Sequence, residues 1–586
     1  MPLSCRRRRD SDAHITPGAD ASGGLRTVAL TGQPTPGQEA WSAFYRFYFP
    51  HGLGEGFYNC PSAKPGPTLN DLGQTAFSAD WGGSLDSGIA GGRGVWSEGY
   101  TGSLRLVDRV DFDTSPYSRD IPNFAISNSG GLAWVHENHL MIDIGEESPL
   151  EINPNEHMAP DFDPPYEIRA AGWLEGARPV FAADGSVAFA GTTPWLRPPS
   201  LGALTGTGLY RYTPGVGVDI VIEGLESVDG VAEWGDIRAT AGAHSGPVVA
   251  QLGHNGAQLV TSVGPNTHVA AAVGEIAPGT DGREFTFLNA STINQSGDIA
   301  FRGEVDGAHG VWTVAAGGEP SLVVSTDHTV PGDEFRFANE FRDFDYPVMN
   351  DHGQVAFWGV VGGATKPNTV WKTSRQGTLE LVMASDDLVS WLPEGVFAGV
   401  HYSPAINNAG QAVFGVGVWG RVTTGFGLWA ETVDGDLVNV VQEGELLDVS
   451  DDPSSPDLRE VTSIGFSREG FNDRGEVAFY ATFLDGTEGV FVSSVAAAPL
   501  SGVAGDYNND GLVDAADFTV WRDAHSAGVE WLANETASPG VTDVADYAAW
   551  KAAFAAAASP AGVPEPAAWL TVMACGLTVS LRRRRS

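Results

Sequence analysis

The stretch 471–479 reads FNDRGEVAF, and the same nine-residue phrase recurs along most of the chain. Its other copies are LNDLGQTAF (69–77), ISNSGGLAW (126–134), FAADGSVAF (181–189), INQSGDIAF (293–301), MNDHGQVAF (349–357) and INNAGQAVF (406–414), with a worn copy, GAHSGPVVA, at 242–250. The recurring glycines are Gly73, Gly130, Gly185, Gly246, Gly297, Gly353, Gly410 and Gly475, spaced 57, 55, 61, 51, 56, 57 and 65 residues apart. This is an internal repeat of eight units, about 57 residues each. Within a unit, Asn-x-x-Gly is turn chemistry, because Asn tolerates left-handed angles and Gly supplies positive φ. The apolar run that follows has the composition of a buried strand. A second strand opened by Gly comes next, as in RGVW (93–96), TGLY (207–210), HGVW (309–312), FGLW (426–429) and EGVF (488–491). A third run then leads to a Pro-Gly turn, as in PSLVVSTDHTVPGDEF (320–335).

Three to four short strands per unit, with no helical period, cannot bury both faces alone, so neighbouring units must stack. The expected fold class is therefore mainly β, a β-propeller of about eight four-stranded units over residues 25–497. A linear β-solenoid is the alternative. Ring closure is favoured by the ends of the repeat region. LRTVALTGQPTPG (25–37) resembles the end of a unit, whereas the last unit stops after its early strands. Pairing of 26–30 beside 489–495 would complete the last unit with the first strand and remove an open edge. The units resemble tandem β-propeller-type repeats of large exported bacterial proteins, a resemblance that implies a fold and no activity.

Composition bounds the partners. The 586 residues carry 73 acidic and 33 basic side chains, a formal net charge of −40, and eight of the basic ones are Arg6–Arg9 and Arg582–Arg585. The body is strongly acidic, which excludes nucleic acid, whose binding depends on neutralising phosphate with Lys and Arg. Cys5, Cys60 and Cys575 lie too far apart for a disulfide framework or a CxxC metal site. Within the repeats, HENHLMID (136–143) is His-Glu-x-His rather than HExxH, and it lies in a strand-turn context. Asp343 and Asp345 in FRDFDYP, and the acids of SDDPSSPDLRE (450–460), read as solvated loops. Trp96, Trp312, Trp371 and Trp429 recur at equivalent points and read as core. No nucleophile elbow, phosphate loop or other catalytic set emerges, so no enzyme activity is expected.

The sharpest chemical signal is GDYNNDGLVDAADFTVWRD (505–523). Counting from Asp506, oxygen side chains fall at loop positions 1, 3, 5, 9 and 12 as Asp506, Asn508, Asp510, Asp514 and Asp517. Gly511 stands at the sharp turn, and Leu512 at position 7 offers its carbonyl. This spacing wraps oxygens around one hard cation in the manner of an EF-hand, so calcium is the expected cofactor. Position 12 is Asp rather than Glu, and a non-helical VAAAPLSGVAG precedes the loop. In both respects the region 503–556 resembles dockerin type I domains, in which a loop and one helix are followed by a second copy. The duplicate is ETASPGVTDVADYAAWKAAFAAAA (535–558). Its Gly540, Asp543 and Asp546 match Gly511, Asp514 and Asp517, while Glu535, Ala537 and Pro539 replace the first three donors, so weak binding or none is expected there. The resemblance implies a cohesin-like protein partner. Ala515 and Ala516 stand where such domains often carry a hydroxyl pair, and a calcium-stapled spacer is the alternative role.

The chain ends in VPEPAAWLTVMACGLTVSLRRRRS. Its apolar run Ala567–Leu581 is 15 residues, about 22 Å as a helix against a hydrocarbon layer of about 30 Å. Pro564, Glu565 and Pro566 precede it, and Arg582, Arg583, Arg584 and Arg585 follow as a stop-transfer cluster. This tail (563–586) resembles a PEP-CTERM sorting signal, which implies an exosortase-type processing enzyme, transient inner-membrane insertion by the tail's short transmembrane helix, and cleavage near Pro564–Pro566. A plain tail anchor is the alternative. The basic cluster near the start has no signal-peptide apolar run behind it, and residues 1–24 read as disordered or as a misplaced start. The expectation is an exported cell-surface or extracellular-matrix protein with a binding or scaffolding role toward a protein or an extracellular glycan. The competing class is a secreted hydrolase acting on polysaccharide.

Overall fold

The computed structural model describes most of residues 24–497 and parts of 503–558. Residues 1–23 and 559–586 lie outside the described residues, as do internal stretches including 49–65, 112–123, 158–168, 171–178, 196–203, 224–247 and 385–396. The apolar tail, Pro564–Pro566 and Arg582–Arg585 are therefore outside it. Two compact units are present, Met1–Ala498 and Pro499–Ser586.

The first unit is mainly β. Among the described residues its strands form eight antiparallel sheets of three to five strands each. In each well-described repeat the run after the Asn-x-x-Gly turn is one strand and the Gly-opened run pairs with it. Examples are Thr75–Gly82 with Gly91–Ser97, Val355–Val361 with Asn368–Thr373, and Val477–Phe483 with Glu488–Ser493. The cores lie between successive sheets. One combines Val370 and Met383 with Phe414 and Val416, and another combines Ala76, Val95 and Val107 with Ile126, Leu132 and Trp134. This is the stacking that a two-faced apolar sheet requires.

The register explains the recurring aromatics. The last residue of the phrase and the aromatic of the following strand are cross-strand partners: Phe77 with Trp96, Phe301 with Trp312, Phe357 with Trp371, Phe414 with Trp429 and Phe479 with Phe491. Trp96, Trp312 and Trp371 are fully buried, and Trp429 packs at the edge of its core. Phe77 and Trp96 stack with ring centroids 6.3 Å apart, and Phe301 and Trp312 at 6.0 Å. The strand-opening glycine has a packing reason. A Cβ on Gly310 would stand 2.6 Å from Trp312 Cη2, and one on Gly94 2.6 Å from Trp96 Cη2. The ring two residues on lies back over the space that a side chain would fill.

The expected joining of the ends is present. Leu25–Leu30 pairs antiparallel with Glu488–Ser493, with Leu25 opposite Ser493 and Leu30 opposite Gly489. A second system of bonds runs from repeat to repeat through the turn asparagines. In Asn350, Oδ1 accepts from the N–H of His352 (3.1 Å) and Gln354 (2.9 Å), which shapes its own turn. Its Nδ2 donates to Gln354 Oε1 (3.0 Å) and to the backbone oxygen of Asn407 (2.8 Å), the same residue of the next repeat. The pattern repeats from Asn294 to Asn350, from Asn407 to Asn472 and from Asn70 to Ser127. Asn472 donates to the oxygen of Asn70 at 3.0 Å, which bonds the last repeat to the first.

These four bonds demand an amide. Asn407→Asp keeps the shape but sets a carboxylate oxygen against Gln411 Oε1 and the Asn472 oxygen, so buried acceptors face one another. The expected loss is about 2–4 kcal/mol of unfolding free energy at neutral pH, read by urea denaturation. A loss of less than about 0.5 kcal/mol for Asn407→Asp would refute the role.

Candidate functional site

Two features gather the polar chemistry of the repeat unit. The first is a row formed by the residues that follow the turn asparagines. The N–H of Asp351 donates to Asn408 Oδ1 (2.8 Å), that of Asn408 to Asp473 Oδ1 (2.7 Å), and that of Asp473 to Asp71 Oδ1 (2.8 Å). Asn408 Nδ2 also donates to Asp351 Oδ2 (2.8 Å) and Asp473 Oδ2 (2.7 Å). Each side chain thus caps the backbone of the preceding repeat, and three carboxylates converge. Burial, and then the nearby charge of Asp71, push the Asp473 carboxyl up to about 7.

The second feature is a pair of equivalent ion pairs. Lys372 Nζ donates to Glu431 Oε2 (2.7 Å), Glu431 Oε1 (2.9 Å) and the oxygen of Gly410 (2.9 Å), and Glu431 Oε2 also accepts from the N–H of Ala412 (2.9 Å). Two repeat boundaries away, Arg26 Nη2 donates to the oxygen of Gly73 (2.8 Å) and to Glu98 Oε2 (3.1 Å), and Glu98 Oε2 accepts from the N–H of Thr75 (2.9 Å). Arg26 comes from the closing strand, where it stands opposite Val492, the last repeat's counterpart of Lys372. The N-terminal strand therefore brings the cation that the last repeat lacks. The sequence carried a signal for these pairs, since Trp96-Ser97-Glu98 and Trp429-Ala430-Glu431 share Trp-x-Glu.

The other sequence candidates separate. His136 and His139 face each other across a hairpin, but His136 Nδ1 lies 3.0 Å from Asp108 Oδ2 and His139 Nδ1 2.5 Å from Glu151 Oε1. Asp343 accepts from Arg302 Nη2 (3.3 Å), and Asp457 pairs with Arg459 (2.6 Å).

In the second unit, helices Ala515–Ala527 and Val544–Ala558 repeat one pattern. Gly505 and Asn534, which hold equivalent places before the two loops, both have positive φ, 88° and 52°. Phe518 and Trp521 of one helix pack, with tilted rings, against Tyr547 and Trp550 of the other. Asp506 and Asp517, the first and last donors of the proposed calcium loop, are each 0% exposed, as is Asp546 of the duplicate. Asn508, Asp510, Leu512 and Asp514 lie outside the described residues. Carboxylates at the first and last positions of such a loop are of the type that a hard cation takes. In the duplicate, Asp543 Oδ1 accepts from the N–H of Ala545 (2.6 Å) and Asp546 Oδ2 from that of Asp543 (2.9 Å), a capping arrangement. Asp546 Oδ1 is buried with no hydrogen-bond partner among the described residues.

A family model of unknown function, DUF7453, matches residues 165–504, more than half of the chain. The protein belongs to the DUF7453 family. The DUF7453 match ends beside the boundary between the two compact units and takes in Lys372, Asn408, Glu431 and Asp473. No curated protein matches the chain. Among solved structures, an oligogalacturonate lyase in complex with manganese is similar at 10% identity, with 65% of this chain and 97% of that chain covered and a TM-score of 0.29. Prolyl oligopeptidase B from Galerina marginata is similar at 11% identity, with 72% of this chain and 54% of that one covered and a TM-score of 0.34. Likenesses this distant say nothing about the chemistry of a DUF7453 protein.

Lys372→Met strands the Glu431 carboxylate in a buried site and should cost about 3–5 kcal/mol at pH 7. Lys372→Met/Glu431→Gln should recover most of that loss in urea unfolding. A double variant no more stable than the single one would show that the pair acts otherwise.

Proposed function

We propose that the protein is exported and works at the cell surface or in the extracellular matrix as a rigid binding or scaffolding platform. Its repeat region is a β-propeller of eight blades, built on the four-stranded plan, followed by a calcium-binding dockerin-like module and a removable sorting tail. The observation that carries the propeller reading is the double bonding of the last repeat to the first, by Leu25–Leu30 beside Glu488–Ser493 and by Asn472 on Asn70. A linear solenoid has no use for either contact. Cores shared between successive sheets support the same reading.

A binding role is preferred over polysaccharide hydrolysis because of how the convergent acids are used. A hydrolase needs carboxyl groups presented to substrate. Here both Asp473 oxygens accept from Asn408, while Asp71 and Asp351 are bonded to the neighbouring repeat. Their chemistry is spent on holding repeats together. The partners that fit this reading are a cohesin-like protein or an extracellular glycan.

In the module, Asp506, Asn508, Asp510, Asp514 and Asp517 with the Leu512 carbonyl would hold the calcium ion. Its charge would offset the burial of Asp506 and Asp517. The second loop has Ala537 and Pro539 in place of two donors but keeps Asp546 Oδ1 available, which fits weaker binding. Isothermal titration of the full chain, stripped with EGTA, should show one tight calcium site. Asp506→Asn/Asp510→Asn should weaken it by at least tenfold. A wild-type chain with no calcium heat at millimolar ion would end the proposal. For the tail, the intact mass of the mature protein from its native host should lack everything after about Pro566. A membrane-bound full-length chain retaining Arg582–Arg585 would make the tail a plain anchor.

A further inference from the structure

Exposed leucine gathers at one corner of the repeat region. In the last repeat the short strand Leu446–Asp448 pairs antiparallel with the start of Leu458–Phe471, with Leu446 opposite Glu460 and Asp448 opposite Leu458. Leu447, between them, turns into the core, so Leu446, Asp448, Leu458 and Glu460 share the outward face. Leu484 comes from the turn after Val477–Phe483 and donates its N–H to the oxygen of Glu460 at 2.9 Å. The three leucines, 57%, 56% and 68% exposed, thus surround one glutamate. Single exposed leucines are ordinary, whereas several together, rimmed by charge, mark a contact surface. The equivalent hairpin of an earlier repeat sets Ile276 opposite Glu284 but has Gly282 and Asp306 where Leu458 and Leu484 stand. The leucine corner therefore belongs to the last repeat and not to the repeat plan. We propose that it docks a protein segment that is basic and carries apolar side chains.

Charge selects that partner. Asp448, Asp457, Glu460 and Asp485 stand among or beside the leucines, and Arg459 is the cation between them. Arg459 is taken up by Asp457 (2.6 Å) and by Thr487 Oγ1 (2.8 Å), which leaves the corner negative. A second copy of the chain would bring the same carboxylates and a formal net charge of −40, so self-association through this face is opposed. Anionic lipid headgroups are repelled for the same reason. A segment bearing Lys or Arg instead pairs with the acidic rim while its apolar side chains cover the leucines. The corner gives the binding role proposed above a surface and a partner class, and its use rests on that reading but not on calcium or on the tail.

A fluorescein-labelled peptide of alternating Lys and Leu, mixed with the full chain at physiological salt, should show a saturable rise in anisotropy. A Lys–Ser peptide of equal length and charge should bind about tenfold more weakly or worse. Leu446→Ser/Leu458→Ser/Leu484→Ser should weaken the Lys–Leu probe by about tenfold or more. It should leave the urea midpoint unchanged, because the three side chains already face solvent. Glu460→Lys should also weaken the probe and reduce the salt dependence of its binding, and it serves in place of the triple variant if that does not fold. Ile276→Ser should keep the wild-type affinity. Equal binding of the two peptides would mean attraction to the acidic body at large and would overturn the docking corner. Unchanged affinity in the folded leucine variant overturns it too. Sedimentation of the chain alone completes the test: self-association that the leucine variant loses would make a second copy the occupant and rule out the basic partner. The platform reading fails separately, if the purified chain releases sugar from a polysaccharide.

Discussion

The amide of the turn asparagine is the interaction on which the repeat region depends. One side chain does two tasks that are usually divided. Its oxygen folds its own turn by accepting from two backbone N–H groups, as Asn350 does from His352 and Gln354. Its nitrogen reaches the backbone of the next repeat. The geometry of a turn and the spacing between sheets are therefore set by the same planar group. A turn that loosened would also lose its grip on its neighbour, which makes local and global order inseparable.

Packing adds the second constraint. The cross-strand Phe–Trp pairs fill each sheet's contribution to a core that is shared with the following sheet. The glycine two residues before Trp96 and Trp312 leaves room for the indole ring, whereas Thr369 takes that place before Trp371 and accepts from its Nε1 at 2.8 Å. Aromatic burial on this scale removes the need for disulfides, in agreement with three widely separated cysteines. Polar bonds then choose which face meets which, since apolar surfaces alone would tolerate slippage.

Much of this was legible in the sequence because the signals are local. Asn70, Gly73 and Phe77 stand three and four residues apart, and their turn-then-strand meaning does not depend on distant partners. The closing strand was also readable, because 25–37 resembles the end of a unit. What the sequence concealed is the far partner of each side chain. The second amide proton of Asn350 goes to a residue 57 positions away, and that of Asn472 to one 402 positions away. The residue after each asparagine reads as an unconstrained turn position, yet Asp71, Asp351, Asn408 and Asp473 form a bonded row. Arg26 looks like an ordinary strand residue until the register sets it opposite Val492. In the second unit the spacing singled out Asp506 and Asp517, and both are buried, as is Asp546 of the duplicate.

The closing strand also imposes an order in time. Leu25–Leu30 opens the repeat region and its partner Glu488–Ser493 closes it, so the strand waits for some 460 residues of synthesis. At the usual elongation rate of about 5–20 residues per second, that is roughly half a minute to a minute and a half. Throughout that interval both Leu25–Leu30 and the first complete sheet present unpaired backbone to the surroundings. The early strand is only six residues long and carries Arg26, features that discourage pairing with strangers. The contact that finally locks the repeat region is thus one that cannot form on the ribosome until nearly the whole region has been made.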